Sequence, residues 1–492
     1  MESVVGFAED FKALEKAIFE KHCANARAEL QAVLQRTDQV LTAKRDKSRL
    51  RHKGSRTTTL RTIMGEVEIK RNMFLDQEEK RPGEKKHVYL LDQLLGASTI
   101  GKMSINLVDR AVEHCLNVSF RKAAGILNTY TSQSLSHQAV WNVFQTAGER
   151  VDKQEEQLVR EFRMEDTTGN RQVPVLFEEA DGVYLAIQKR DRKVKKRTSM
   201  ELKIGVAYEG WEKRHPRATH YRTVEKLVYA GFMQGKNFHK TRNAVVGSKY
   251  DLDEVKVRVL NGDGASWISN EIDSGTEIFQ LDPYHLHRAV CRAVRDKKAR
   301  PHIMRWIRTG QLDKVKAKLD ALKWTCDGIA APIKRLEALW DYLENNKDGL
   351  QSWRDRPGMA ALEPPEGLEY RTLGTMERTV EIFDRRMDGP LSWSPRGAGH
   401  MAKLLARKVS GTLDEALAGI WEYSDLRKLE RNAEVPVANK QRHRTKRRLG
   451  TSAGSWQIRQ GQIPYTQSSV TIGRRIIRNL FNYREFGDMG FQ

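Results

Sequence analysis

Apolar residues recur at three- and four-residue spacing through Phe11, Leu14 and Ile18, and again through Leu30, Val33, Leu34 and Leu41. That period predicts one or two helices within residues 1–50. The chain then turns basic, with Lys44, Arg45, Lys47, Arg49, Arg51, Lys53 and Arg56 in quick succession. From Thr57 the pattern shortens toward a period of two. The stretch TTTLRTIMGEVEIKRNMFLD reads as a hairpin turning at Gly65, and alternation around Val67, Ile69 and Arg71 gives one buried and one basic face. Residues 88–150 return to a helical pattern. Within them SFRKAAGILN (119–128) and LSHQAVWNVFQTAG (135–148) resemble a helix-turn-helix. Its second helix begins at Ser136 and leaves Gln138, Trp141 and Asn142 open to a DNA groove. The connection is longer than a tight turn, so a plain helical hairpin is the competing reading.

A different texture begins near residue 172. VPVLFEEADG, VYLAIQK, ELKIGVAYEG, VKVRVLNGDGA and EIFQLDPYHLHR are short β-branched runs ending in turn residues, with helical or loop material between the third and fourth. Three strands, then helix, strand, helix and strand, predict an α/β ribonuclease H-like core with a mixed sheet. Residues 288–370 interrupt it with basic helical sequence carrying Trp306, Trp324, Trp340 and Trp353, and TMERTVEIFDRRM (375–387) resumes it. The expected organisation is a helical segment at 1–56, a small β element at 57–87 and a helix-turn-helix-like region at 88–160. The first part of the core follows at 172–287, a helical insertion at 288–370, the end of the core at 371–410 and a basic region at 411–492.

Composition narrows the partner. Across 492 residues, 86 Lys and Arg face 64 Asp and Glu, a net charge of +22, and 39% of positions are hydrophobic. That is apolar enough to exclude wholesale disorder. No run of 18 apolar residues occurs, which excludes an ordinary membrane-spanning helix, and the charged amphipathic start does not read as a secretory signal. Cys23, Cys115, Cys291 and Cys326 are far apart, as reduced thiols of a cytoplasmic protein would be. A cationic surplus of this size points to a polyanion, nucleic acid ahead of anionic membrane or the ribosome, because each Lys or Arg meeting a phosphate releases counterions. Two basic runs stand out, KRDRKVKKR (189–197) and KQRHRTKRR (440–448). In the second, Arg442, Arg444, Lys446, Arg447 and Arg448 sit without an acid and suit a phosphate-contacting arm.

Candidate chemistry lies in carboxylates. Asp181 ends a predicted strand in EEADG and Asp263 ends another in NGDGA, each followed by a glycine that admits close approach. Strand-end carboxylates in such a sheet converge on one edge, where their repulsion calls for a divalent cation, and hard oxygen donors select Mg²⁺ or Mn²⁺. Singly, Asp-Gly is also a common turn. Glu377 is placed to supply a third carboxylate from a helix, with Glu381 one turn on as a decoy and Arg378, Arg385 and Arg386 suited to phosphates. Asp282, His285 and His287 in LDPYHLHR form a second polar cluster, with Asp282 and His285 as candidate auxiliary residues. The spacing is poor for zinc.

These stretches together resemble insertion-sequence transposases of the ISLre type, a group of bacterial mobile elements with an Asp-Asp-Glu nuclease core, related to the Mutator-like superfamily. The matching segments are TIMGEVEIKRNMF (62–74), VYLLDQLLG (88–96), SFRKAAGILN, EADG (179–182), KIGVAYEG (203–210), GDGASWI (262–268), LDPYHLHRAV (281–290) and RRMDGPLSWSPRGAGHMAKL (385–404), in order, with a weaker echo at IPY (463–465). The resemblance implies that Asp181, Asp263 and Glu377 form the catalytic and metal-binding triad. It implies two Mg²⁺ or Mn²⁺ ions per site, and Asp282-Pro-Tyr-His285 as the Asp-x-x-His motif after the second Asp. Double-stranded DNA, both terminal inverted repeats and target, is then the partner, and a homodimer or larger synaptic complex is expected in the bacterial cytoplasm, associated with the nucleoid and with no membrane. The helix-turn-helix candidate would offer Gln138, Trp141 and Asn142 to bases and Arg121 and Lys122 to the backbone. Two rivals stand beside this reading. A DNA-binding regulator or domesticated transposase would bind without cutting. A glycosidase would explain the carboxylates but not the charge.

Overall fold

The computed structural model describes residues 11–418, apart from 78–86, 95–102, 165–168, 196, 270–271, 273–274 and 327–328. The chain divides into two units, Met1–Leu426 and Arg427–Gln492, and every described residue belongs to the first. The arm residues Arg442, Arg444, Lys446, Arg447 and Arg448 therefore lie outside the described residues.

Helix α1 (Phe11–Lys44) lies across an antiparallel hairpin of β1 (Leu50–Thr62) and β2 (Gly65–Asp76), extended by the short β3 (His87–Val88) and followed by α2 (Leu90–Leu94). Leu34, with Leu30 and Leu41, packs on Leu60, Val67, Ile69 and Leu91, while buried Asp38 accepts the Asn72 backbone N–H at 2.9 Å and its side-chain amide at 2.7 Å. The hairpin turns at Gly65, whose φ of +116° favours glycine. β1 starts at Leu50 rather than Thr57, since pairing with β2 continues out to Asp76. Arg51, Lys53 and Arg56, expected to precede the β element, thus sit exposed on a strand.

Three helices follow, α3 (Ile105–Asn117), α4 (Phe120–Tyr130) and α5 (His137–Arg163). Each starts after a serine, Ser104, Ser119 or Ser136, whose hydroxyl accepts an otherwise unpaired first-turn N–H.

The second sheet comprises β4 (Val175–Ala186), β5 (Ser199–Tyr208), β8 (Leu227–Gly231), β9 (Val257–Gly262) and β10 (Glu277–Leu281). Between them lie α6 (Lys189–Lys195), the ribbon strands β6 (Gly210–Lys213) and β7 (Tyr221–Val224), α7 (Gly235–Gly247) and α8 (Ser266–Ser269). Its spatial order is β10-β9-β4-β5-β8; β4, β5 and β8 run antiparallel, whereas β4, β9 and β10 run parallel. Helices α9 (Pro283–Ala293), α10 (Ala299–Arg308), α11 (Leu312–Trp324) and α12 (Ala330–Asn345) share their own apolar cluster around Val290, Ile303, Leu319 and Leu339. The chain returns to the sheet through α13 (Met376–Met387), α14 (Pro395–Val409) and α15 (Leu413–Ala418). The fold is mixed α/β.

Alternation along β4 divides the core. Val175, Phe177 and Leu185 face the cluster built with α3, α4, α5, α13 and α14, whereas Leu176 and Ala180 face the cluster that includes Phe238 and Val246 of α7.

Three sequence expectations change here. VPVLFEEADG and VYLAIQK are one strand, because pairing with β5 runs unbroken from Phe177 to Ala186, so Asp181 sits inside a strand instead of ending one. The third antiparallel strand is β8, a five-residue run masked by the charged residues before it. The basic run after Gln188 is a short helix over Lys189–Lys195. In addition, Trp353 and Tyr370, at the end of the expected insertion, pack against Phe177 on the sheet.

Beneath the sheet, Arg242 of α7 is fully buried and donates to Glu178 at 2.6 and 3.0 Å and to Glu277 at 3.0 and 3.2 Å; Arg258 joins both acids at 2.7 and 2.8 Å. Burial alone would raise the Glu178 carboxyl, but Arg242 and then Arg258 outweigh it and hold it down at about 2. Two cations against two anions leave this interior neutral, so removing one partner strands a charge. Arg242→Met is expected to cost about 3–5 kcal/mol in urea denaturation. A loss indistinguishable from that of Arg385→Ala, which breaks a surface pair with Glu381, would show the network to be energetically idle.

Candidate active site

Asp181 and Asp263 reach one place through strand register. Glu179 lies opposite Asn261 and Ala180 opposite Gly262 in the parallel β4–β9 pair, so Asp263, one step past β9, comes level with Asp181. The two-residue period puts Glu179, Asp181, Asn261 and Asp263 on the same face. Glu377 arrives from the first turn of α13. Between them stands His285, whose Nε2 lies 3.8 Å from Asp181 Oδ2 and 3.5 Å from Glu377 Oε1.

The electrostatics confirm the proximity. Burial pushes the Asp181 carboxyl up to about 6; the Gly182 N–H (2.7 Å) and His285 pull it down, while Asp263 and Glu377 add to the rise. Asp263 anchors its own loop by accepting the Ala265 N–H at 2.9 Å, and its carbonyl accepts the Tyr342 hydroxyl of α12 at 2.8 Å. The next residue, Gly264, has φ +89°, and a Cβ there would stand 2.6 Å from the Asn346 side chain. Glycine is therefore required on both counts. Gly182 has a different reason from the one expected: a Cβ would stand 2.7 Å from Glu201 Oε1, so the glycine admits a neighbouring acid.

The auxiliary pair separates into two roles. Asp282 is buried and caps α9, its Oδ1 accepting the Tyr284 and His285 N–H groups at 2.7 and 3.1 Å and its Oδ2 accepting the Asn261 amide at 2.7 Å. With both oxygens engaged it orients His285 rather than joining the cluster. His287 instead lies beside Cys291, 3.6 Å from Nε2 to Sγ. Glu381 is exposed and pairs with Arg385 at 2.7 Å, away from any shared role with Glu377. Arg386, expected near phosphates, is buried, donating to the Cys115 carbonyl at 2.8 Å and stacking on Phe120 and Trp393. Its burial follows from the helical period, which turns it about 100° from the exposed Arg385.

Sequence reasoning missed Glu179. It is fully buried beneath the cluster and accepts from Tyr208 Oη (2.5 Å), the Thr375 N–H (2.9 Å), the Met376 N–H (3.4 Å) and the Asn261 amide (3.2 Å). Thr375 gives α13 no side-chain cap, so the strand glutamate takes that place. The signal was present as the doubled acid of FEEAD, an unusual pair inside an apolar strand.

The WSPRGAG segment also acquires a structural explanation. Trp393 is buried and donates to the Met387 carbonyl at 2.7 Å, Ser394 caps α14 and Pro395 occupies its first turn. Behind it, α14 approaches α5 so closely that a Cβ on Gly148 would overlap His400. On α4 and α5, Arg121, Lys122, Gln138, Trp141 and Asn142 are all exposed. Gln138 donates to Asn142 at 3.0 Å, and the six-residue connection is pinned by Asn128, which bonds the Leu135 backbone at 2.7 and 3.0 Å.

The donor set is three carboxylates and an imidazole, and burial, with repulsion from Asp263 and Glu377 behind it, raises the cost of ionising Asp181. Such a set suits a hard divalent cation. Among the described residues, no three His, Cys, Asp or Glu side chains are already drawn together as a metal cage. Nor is any described helix long and apolar enough to cross a membrane.

The chain belongs to the Uncharacterised protein family (UPF0236), whose profile matches residues 7–422. It is similar to a Streptococcus gallolyticus protein named "UPF0236 protein in vanSb 3'region", at 24% identity over 362 residues and 72% of each chain.

The raised Asp181 fixes the sign of a pH effect. Its folded carboxyl holds a proton more tightly than the unfolded one, so its contribution to stability is present below pH 4 and is lost as pH rises through about 6. Asp181→Asn should therefore stabilise the metal-free protein at pH 7–8 by about 1–3 kcal/mol and change little at pH 4. Equal denaturation midpoints for the two proteins at pH 8 would contradict this.

Proposed function

We propose that this protein is a DNA transposase of a bacterial insertion sequence, of the ISLre type, which cuts element ends and joins them to target DNA. The observation that carries the proposal is the meeting of Asp181, Asp263 and Glu377 around His285, from two adjacent strands and a helix some 200 residues apart. The sheet supports it: three antiparallel strands followed by two parallel ones, in the order β10-β9-β4-β5-β8, are compatible with the ribonuclease H-like core expected for such enzymes. So does the +22 charge, which suits DNA.

Asp181, Asp263 and Glu377 would hold two Mg²⁺ or Mn²⁺ ions. When bound, these supply an activated oxygen nucleophile and charge neutralisation at the leaving oxygen. The chain's own contribution is positional. The rigid β4–β9 pair sets the spacing of the two aspartates, and Asp282 holds α9 so that His285 faces both Asp181 and Glu377. Arg121 and Lys122 would contact backbone phosphates, while Gln138, Trp141 and Asn142 at the start of α5 face outward for base edges. Two ends must be processed together, which favours a dimer or larger assembly in the bacterial cytoplasm.

Two experiments test the proposal. Asp181→Asn, Asp263→Asn and Glu377→Gln should each abolish Mg²⁺- or Mn²⁺-dependent nicking of element-end DNA while leaving its binding within about threefold. Wild-type nicking by Asp263→Asn would refute the site, and metal-dependent nicking absent from the unaltered protein would leave a binding regulator. Separately, Asn142→Ala should relax sequence preference by about 1–3 kcal/mol at one base position, whereas Lys122→Ala should weaken binding to all sequences alike. Competition assays with scrambled end sequences read the difference, and two variants behaving identically would return α4–α5 to a packing hairpin.

A further inference from the structure

Below the carboxylate cluster runs a line of buried polar side chains, Tyr208, Glu179, Asn261 and Asp282, of which the proposed function uses only Asp282. Tyr208 donates to Glu179 at 2.5 Å, Asn261 bridges Glu179 and Asp282 at 3.2 and 2.7 Å, and Asp282 caps α9. Glu179 also caps α13 through the Thr375 and Met376 N–H groups. The line thus touches every element that carries a member of the cluster. Glu179 is two residues before Asp181, Asn261 two before Asp263, Asp282 three before His285, and Thr375 two before Glu377.

We infer that Glu179 is a positioning residue, one that sets the mutual placement of Asp181, Glu377 and His285 without touching cation or DNA; the inference rests on the metal-dependent reading above. Both its oxygens are taken by four donors and it is fully buried, which removes it from the ligand set. A carboxylate is needed at this point. All four groups bonded to it are donors, and the positive end of α13 favours an anion. An amide would turn an N–H₂ toward at least one of those donors, leaving a buried mismatch that α13 relieves by shifting away. Because Glu377 lies in the first turn of that helix, any such shift moves it directly. Partners that orient metal-binding side chains commonly change metal affinity or activity by about 10–100-fold when replaced.

The test uses the full chain, with Mn²⁺ as the probe. Glu179→Gln should exchange its Thr375 and Met376 amide hydrogens faster than wild type. It should bind Mn²⁺ about tenfold or more weakly by paramagnetic titration and lose about 10–100-fold in kcat for nicking, with KM for DNA unchanged. Glu179→Asp, which keeps the carboxylate, should recover part of each loss. Glu381→Gln on the exposed side of the same helix should alter none of them. If Glu179→Gln does not fold by circular dichroism, Tyr208→Phe decides, with a several-fold loss of Mn²⁺ affinity expected. Wild-type Mn²⁺ affinity and kcat in a folded Glu179→Gln, or in Tyr208→Phe where that variant decides, overturn the inference while the metal reading stands. A wild-type protein that neither binds Mn²⁺ nor nicks DNA overturns both.

Discussion

Two consecutive glutamates buried on opposite faces of one strand set the terms for the rest of this structure. An extended backbone turns successive side chains to opposite sides, so Glu178 must be satisfied beneath the sheet and Glu179 above it. Neither can reach water. Below, the solution is ionic: Arg242 comes up from α7 and Arg258 from β9, with Glu277 balancing the count. Above, it is dipolar: hydroxyl, amide and backbone N–H donors replace the missing cation. Lys226 contributes its charge from a distance. Burial lowers it to about 8 against the pull of Glu179, and it donates to Thr379 at 2.8 Å. The lower network locks α7 to three strands, whereas the upper one decides where α13 begins. A shift of β4 by one residue would exchange the two environments and satisfy neither.

This constraint explains how a repulsive carboxylate cluster can persist. Left alone, Asp181, Asp263 and Glu377 would separate, and separation is the cheapest relief for like charges near a surface. Here each is tied to backbone that cannot move independently: Asp181 by pairing with Ile204 of β5 just past the end of the β9 pairing at Ala180, Asp263 by the Gly264 turn and Tyr342, Glu377 by the cap on α13. The remaining freedom is protonation, and Asp181 takes it: burial first, then the charges of Asp263 and Glu377, raise its carboxyl. Rigid placement of mutually repelling acids is the condition under which a cation is attracted strongly to one point.

The sequence discloses the candidate residues more readily than the geometry that gathers them. Asp181, Asp263, Glu377 and His285 stand in recognisable short strings, and the structure brings those four side chains together. What periodicity could not read was how the strand continues through Asp181-Gly182, since Asp-Gly signals a turn unless a partner strand holds it extended. β8 was lost for a related reason: five residues are too short for a pattern to rise above the charged sequence before them. Glu179 was overlooked because a doubled acid suggests solvent, and only the positions of Thr375 and Asn261, 196 and 82 residues distant, reveal why it is inside. Arg386 fails in the opposite sense. Its charge suggests phosphate, but helical phase buries it against aromatic rings.

The same rigidity governs how the exposed start of α5 and the carboxylate cluster relate. Helix α5 has 27 residues and is therefore about 40 Å long. Its first turns expose Gln138, Trp141 and Asn142, whereas Val143 to Gly148, Val151 and Glu155 are buried and the helix packs against α14 and α7. At that contact His400 bonds Gln145 at 2.7 Å and lies 3.4 Å from Asp152, while Lys403 pairs with Asp152 and Glu155. The missing side chain of Gly148 lets the helices close to this distance. Since α14 packs on β8 and follows α13 directly, the exposed start of α5 is joined to the carboxylate sheet through packed helix instead of a flexible linker. Under the proposed function, DNA held at Asn142 would be presented to Asp181 and Asp263 in a fixed register, with the chain's own packing measuring the distance between the bases it reads and the bond it breaks.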